Sequence, residues 1–285
     1  MAFAAFADSL NFSEAARRLH ISQPALHVKV RKLSERLDRP LYCRVGRSLE
    51  LTEHGELIAR YGRQLRDGTA DLLAQLHGLA ERPVTLAAGE GAYLYLLHAG
   101  IKAFQNGAPA PLRLLTLNRE EALAAVLCGK AQLGVAPLDD VPDQLQSMVL
   151  TTVGQVLAVP QSHRLAGRTR VKLTDLAGER LVVPPRGRPH REMLAALLRA
   201  ADVSWEVALE ANGWELMLSF VAMGAGAAVV NACCRLPAGV VAIALPELPV
   251  LRYHCFHLRG LAKSTPAGHL RAALQDRGNA WKTST

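Results

Sequence analysis

The sequence predicts an α/β protein headed by a small all-α module with a winged helix-turn-helix, which one long helix joins to the rest. Three observations carry that prediction. Positive charge is concentrated: residues 13–47 hold nine Lys/Arg against three Asp/Glu, a net of +6 in 35 residues, whereas the whole chain of 285 residues carries +8, so the other 250 carry only +2. An apolar heptad frame runs through residues 52–80. Beyond Pro83, strand-like runs alternate with helical ones, the rhythm of a parallel sheet covered by helices. Half of the chain is hydrophobic, ample for sizeable cores and too much for global disorder, and the length suits two or three units. A compact basic module on a nearly balanced body points to polyanion binding at one end.

The elements follow in order. Phe3 and Phe6 sit in a short alanine-rich helix over residues 1–8. Ser13 reads as the cap of a second helix, SEAARRLH, with Glu14 in its first turn and Ala15, Ala16 and Leu19 inward. Ser22 reads as the cap of a third, in which Gln23 and Pro24 come first, where the missing proline N–H costs nothing. Leu26, Val30, Leu33 and Leu37 step by four, three and four, giving one buried face. At roughly 100° per residue, Pro24, His27, Val28, Arg31 and Lys32 point the other way. Two short helices on a tight turn, the second basic on its outer face, make a helix-turn-helix. PLYCRV and SLELT then form a hairpin, or wing, around Gly46, with Arg44 and Arg47 near its tip. Thr52 caps the long helix, predicted to reach about residue 80, with Glu53 and Glu56 in its first turn. Ile58, Tyr61, Leu65, Leu72 and Leu79 occupy its a/d frame, which Gly68 and Gln75 weaken. The preceding module is too small to bury that whole stripe, so a dimer seam is expected.

In the body, VTLAAGE, PLRLLTL and LGVAPL alternate with the helical YLYLLHAGIKAF and REEALAAVLCGKA. A second series runs VGQVLAVPQ, LTDLAG, RLVVPP, HREMLAALLRAA, SWEVALE, WELMLSFVAMG and AAVVN. VVAIALPE and YHCFHLRG close the chain before a last helix near 266–277. Residues 216–234, LMLSFVAMGAGAAVVNACC, have the length of a membrane span, but Ser219, Gly224, Gly226 and Asn231 break them where a helix would turn into a strand, so no membrane partner is expected. The cysteines, Cys43, Cys128, Cys233, Cys234 and Cys255, form no C-x-x-C pair and have no histidine at zinc-ligand spacing. Their odd count and the lack of a signal peptide favour buried thiols in a reducing cytosol. With no nucleophile elbow, phosphate loop or metal cluster, and with His163, His190, Asp139 and Asp140 scattered, no catalytic residue, metal or cofactor is expected.

The run FAAFADSLNFSEAARRLHISQPALHVKVRKLSERL, followed by RPLYCRVGRSLELTEHGELI, resembles the LysR-type transcriptional regulators. LGVAPL, SHRLAGRTRVKLTDLAG and GAGAAVVN extend the resemblance over essentially the whole chain, although its specific part is N-terminal. It implies a winged helix-turn-helix over 1–51, a linker and dimerisation helix over 52–82, and an effector-binding domain over 83–285. The last should have two lobes, like type 2 periplasmic binding proteins, with lobe I at about 84–158 and 250–285 and lobe II at about 159–249. The effector is expected in the cleft between them. The chain departs from the family at His27, where a serine is usual, at Ser34 in place of a common glutamate, and at Cys43 in place of a charged residue. Its first helix is also several residues short.

The resemblance implies a cytoplasmic, sequence-specific regulator whose partners are double-stranded DNA, a small-molecule effector, further copies in a homodimer or homotetramer, and RNA polymerase. Gln23, Pro24, His27 and Val28 match the positions that read bases: Gln to adenine N6/N7, His27 to a purine N7, Val28 to a thymine methyl. Arg31, Lys32, Arg44 and Arg47 would hold phosphates, with backbone N–H groups of the helix starts at Ser13 and Ser22. For the effector, the turn GEGAY offers Glu90, Gly91 and Ala92 where relatives place a Ser or Thr for a ligand carboxylate, which Glu90 would repel, and Tyr93 follows as a further candidate. In PPRGRPHRE, Arg186, Arg188, His190 and Arg191 admit two readings: an anionic effector bridging Arg186 or Arg188, or surface pairing with residues such as Glu192 or Glu210. Asn118, Asn212 and Trp214 fall at strand ends facing the cleft. One rival is a thiol-based redox-responsive regulator, disfavoured because residues 159–232 hold no cysteine and Cys233–Cys234 are adjacent. The other is a solute-binding protein or an enzyme on the same two-lobed fold.

Overall fold

The structure is a computed structural model and describes residues 2–46, 48–76, 83–107 and 110–278. The N-terminal module contains α1 (Ala2–Ser9), α2 (Phe12–Arg18), α3 (Gln23–Leu37) and a two-stranded wing, β1 (Tyr42–Val45) and β2 (Ser48–Leu51), followed by α4 (Glu53–Leu76). Its core is aromatic at the centre. Phe6 stacks on Phe12 at 4.0 Å and meets the edge of Tyr42, while Leu26, Val30, Leu41 and Ala59 close the cluster. Each large side chain buried this way stabilises the module by about 1.5–3 kcal/mol over exposure.

Ser22 caps α3, accepting a hydrogen bond from the Ala25 amide at 3.3 Å. The second helix starts differently from its sequence reading: Asn11 is the cap, its Oδ1 accepting from the amides of Ser13 and Glu14, and Ser13 lies inside the helix. The amide side chain two residues upstream reaches both orphan donors, so the serine is not needed for them. The stripe of α3 is also shorter than its spacing suggests. Leu26 and Val30 are fully buried and Leu33 partly so, but Leu37 is exposed, because α3 runs past the edge of the small core before Asp38 ends it in a left-handed conformation.

The long helix begins against the wing. Thr52 Oγ1 donates to the Pro40 carbonyl and accepts from the Gly55 amide, and a Cβ on Gly55 would lie 1.8 Å from the Leu41 carbonyl oxygen, so only glycine permits this start. Ile58 packs against the module's own core, whereas Leu57, Tyr61 and Leu65, four residues apart in turn, are exposed at 40, 56 and 69%. The Leu72 side chain, Leu79 and Arg47 fall outside the described residues. Arg63, on the opposite side of α4, is buried. Its guanidinium donates to Asp8 of α1 at 2.6 Å and to the Cys128 carbonyl of the body at 2.7 Å.

The body is two sheets. The first has strand order β4-β3-β5-β12-β6, formed by β3 (Val84–Ala88), β4 (Leu112–Thr116), β5 (Leu133–Pro137), β6 (Leu145–Val153) and β12 (Leu251–Leu258). The second comprises β10 (Ala228–Asn231), β7 (Gln155–Pro160) and β11 (Val240–Ala244), extended through a bridge at Leu181–Ala227 by the parallel pair β8 (Arg180–Val183) and β9 (Glu206–Glu210). The neighbours β4, β3 and β5 are parallel, as are β9, β8 and, through the Leu181–Ala227 bridge, β10; β7 and β12 run antiparallel to both their neighbours, so one reversed strand interrupts the expected parallel rhythm in each sheet. The chain crosses between sheets at Gly154, earlier than the boundary at 158, because β7 pairs only with second-sheet strands, and it returns between Ala244 and Leu251. The helices α5 (Glu90–Ala92), α6 (His98–Gly107), α7 (Arg119–Leu127) and α10 (Pro266–Gly278) belong with the first sheet, and α8 (Pro189–Ala200) and α9 (Trp214–Ala222) with the second. The apolar run at 216–234 divides into α9, a turn through Gly224 and β10.

Candidate nucleic-acid interface and interlobe cleft

The outer face of α3 is open. Gln23, Pro24, His27 and Val28 are exposed along its first turns, with Arg31 and Lys32 one turn further on. Two contacts position this row. Ser13 Oγ donates to Gln23 Oε1 at 3.0 Å, which fixes the carboxamide and leaves its NH2 outward. The His27 ring lies flat on Phe12, with centroids 3.6 Å apart and planes at 17°. That stack holds the imidazole edge towards solvent and was not visible in α3's own spacing, because Phe12 comes from the preceding helix. Arg31 pairs with Glu35 at 3.4 Å, but both are largely exposed, so the pair is weak and a phosphate can replace it. Arg44 stands on the wing, its Nε donating to the Gly46 carbonyl. The Ser13 amide is engaged by Asn11, so the phosphate slot expected at that helix start is already filled by a side chain.

Between the two sheets lies a cleft of about 750 Å³. Of the residues expected there, Glu90, Asn118, Arg188, Asn212 and Trp214 line it; Tyr93 and Arg186 do not. The helix after β3 takes π form over Tyr93–Leu97, and Glu90 and Tyr95 are on the cleft side. Tyr93 turns inward instead, its hydroxyl held between the Leu86 and Leu115 carbonyls at 2.6 and 3.0 Å, and burial pushes its pKa up to about 12. Arg186 sits on the exposed turn before α8. Arg191, from the same basic run, is buried with its guanidinium over the Trp205 ring at 4.5 Å, a packing role that neither reading of the run anticipated.

Within the cleft Arg188 donates to Asn212 Oδ1 at 3.1 Å, and Asn118 closes a capping box on α7 with Glu121. Trp214 opens α9 and packs against Gly91, where a Cβ would come within 2.8 Å of the indole. His190, from the same basic run, is a wall of the cleft. Its Nε2–H donates to the Val229 carbonyl at 2.9 Å, its ring meets Trp214 edge-on at 4.7 Å, and burial lowers its pKa to about 4. It is therefore neutral at pH 7, with Nδ1 as an acceptor. Asn231, Tyr95 and Tyr253 complete the deep wall, and Asn231 Nδ2 donates to the Tyr253 hydroxyl at 3.1 Å. Behind them Cys233 and Cys234 are buried in the same apolar cluster. His163 is structural, bonded to Glu179 at 3.0 Å.

A family model for the bacterial regulatory helix-turn-helix protein, lysR family, matches residues 1–56, and one for the LysR substrate binding domain matches residues 77–279. The chain belongs to the LysR family of transcriptional regulators. As a LysR regulator it carries a DNA-binding domain and an effector-binding domain. Among its relatives are the HTH-type transcriptional regulator TtuA of Agrobacterium vitis, 27% identical over 80% of this chain and 77% of that protein, and a probable RuBisCO transcriptional regulator of Guillardia theta, 27% identical over 80% and 76%. The fold is shared with a full-length OxyR variant from Pseudomonas aeruginosa (TM-score 0.71, 18% identity, 98% of this chain and 92% of that one) and with HinK from the same organism (TM-score 0.60, 20% identity, 98% and 97%). No helix of this LysR regulator among the described residues is long and apolar enough to cross a membrane, and no group of three or more His, Cys, Asp or Glu could hold a metal there.

Proposed function

We propose that this regulator reads discrete sites on double-stranded DNA with the first turns of α3, as a homodimer or homotetramer joined through α4, and that a small molecule in the interlobe cleft modulates it. The observation that carries the DNA reading is the two-sidedness of α3: Leu26 and Val30 are buried while Gln23, Pro24, His27 and Val28 stand exposed in one row. Base edges are read from that row. Arg31, Lys32 and Arg44, with Arg47 and the start of α3 at Ser22, hold phosphates and supply affinity without sequence information. The exposed stripe of Leu57, Tyr61 and Leu65 supports pairing of two copies, which sets the spacing between half-sites. In the cytoplasm, the DNA-bound oligomer acts on transcription through contact with RNA polymerase.

The test is selection of bound sequences from a randomised DNA pool, followed by affinity measurement on the selected site. His27→Ala changes preference at particular base pairs. Lys32→Ala weakens all sequences alike and reduces the slope of log K against log salt by roughly one phosphate's worth, about 0.9. A uniform loss across sequences for His27→Ala would remove it from the reading group.

A further inference from the structure

We infer that the cleft takes an amine-type effector, presenting N–H donors on an apolar body, rather than an anion. The inference rests on reading the cleft as the effector site and concerns what that site selects. Its deepest polar group is Asn231, only 3% exposed. Asn231 gives its Nδ2–H to Tyr253, and its Oδ1 has no hydrogen-bond partner. A buried acceptor left in that state stabilises whatever donor reaches it and penalises a ligand that brings only lone pairs. Beside it, His190 spends its one N–H on Val229 and offers Nδ1 as a second acceptor. The low pKa of His190, about 4, keeps the ring neutral, so it offers no positive charge to an anion at pH 7.

The charges point the same way. Arg119 is paired with Glu120 at 2.9 Å and Glu121 closes the cap of its own helix, which leaves Glu90, Asp139 and Glu215 lining the cleft against Arg188 and Arg252. Arg188 already donates to Asn212, and Arg252 shares its surroundings with Asp139, both acting on His254. Two of the helix starts on the cleft, those of α7 and α9, are unfavourable to a carboxylate as well. On α7 the capping box occupies the Asn118 and Glu121 amides. On α9 the cap is Gly213, and the Glu90 carboxylate lies 3.3 Å from where a Gly213 Cβ would be, so an incoming carboxylate would meet a like charge. The aromatic faces of Tyr95 and Trp214 complete a lining that suits an ammonium on a hydrophobic frame.

The experiment uses the full chain and three probes that share one ring system and differ only in the head group: 2-(1-naphthyl)ethylamine, 2-(1-naphthyl)ethanol and 1-naphthylacetate. Binding is read by thermal shift and by titration calorimetry. The amine should bind tightest, the alcohol next, and the acid roughly tenfold to a hundredfold more weakly than the amine. Asn231→Leu should weaken the amine by a similar factor, and Asn231→Asp, which sets a carboxylate against the ammonium, should tighten it. Circular dichroism confirms that both variants fold. Tighter binding of the acid than of the amine overturns the donor assignment and leaves the cleft reading standing. Amine binding that survives both Asn231→Leu and the cleft-filling Leu94→Trp lies elsewhere and overturns both, as does silence from all three probes.

Discussion

Replacing Arg63 by methionine should loosen the DNA-binding module, and the structure gives the size of the effect. The Arg63 side chain is 6% exposed and that of its partner Asp8 is 25%, so solvent does little to replace their bond. Methionine keeps the apolar stem but removes two charge-assisted hydrogen bonds, one to Asp8 at 2.6 Å and one to the Cys128 carbonyl at 2.7 Å. A hydrogen bond to a charged group contributes about 1.5–3 kcal/mol. Asp8 keeps Arg66 at 3.1 Å, so the first loss falls at the low end. The expected cost is about 2–4 kcal/mol, shared between the α1–α4 contact and the bond from α4 to the body. Native-state hydrogen exchange reads it directly: amides of α1 should exchange roughly thirtyfold or more faster, while the strands of the second sheet stay unchanged. A double-mutant cycle with Asp8→Asn should give a coupling of about 1–2 kcal/mol. Exchange in α1 within a factor of two of the parent, or a coupling of zero, would refute the reasoning. Acid offers a parallel check. Despite burial, Arg63 and Arg66 hold the Asp8 carboxyl below its ordinary pKa, so this contribution is present above the unfolded value and fades as pH falls through the folded one.

Leu65→Asp should leave the fold of the protomer intact, because Leu65 is 69% exposed there, yet dissociate the oligomer in light scattering. Gly134→Val should destabilise the first sheet by about 1–3 kcal/mol or more in chemical denaturation, because a Cβ there would lie 2.2 Å from the fully buried Phe256 ring. His190 supplies a pH signature. Its folded pKa of about 4 lies below the ordinary 6.5, so the unfolded chain takes up a proton that the folded one refuses, and stability falls as pH drops from 6.5 towards 4. The loss approaches about 3 kcal/mol at the acid end, is absent above pH 6.5, and should shrink in His190→Phe when both melting curves are followed with pH.

The local chemistry of the module was open to reading from sequence. Ser22, Pro24 and the Leu26–Val30 step each act through neighbours within one turn, and the structure keeps all three. Readings failed where a second element decides the outcome. Asn11 outcompetes Ser13 because a cap depends on which side chain reaches the amides, and both are eligible types. The strand β6 escaped notice because it is an edge strand whose Gln146, Ser147 and Thr152 blur the alternation of its apolar residues. Leu37 looked buried only because helical spacing carries no information about where a core ends. In the cleft, strand ends and helix starts point to Glu90, Asn118, Arg188, Asn212 and Trp214, all of which line it. Tyr95 rather than Tyr93 lines the cleft, and both lie in the π-helical stretch Tyr93–Leu97, which α-helical spacing does not describe. His190, Asn231 and Tyr253 come from three separated segments that only the antiparallel return of the chain brings together.

The most direct test of the central claim is hydroxyl-radical footprinting of the full chain on DNA selected from a random pool. An oligomer that reads bases with α3 should protect two discrete half-sites, with centres about 34 Å or a multiple of it apart on one face of the duplex. His27→Ala should shift which sequences are selected while keeping that spacing. Even protection along the DNA, or a selected pool no different from the starting one, would contradict the account.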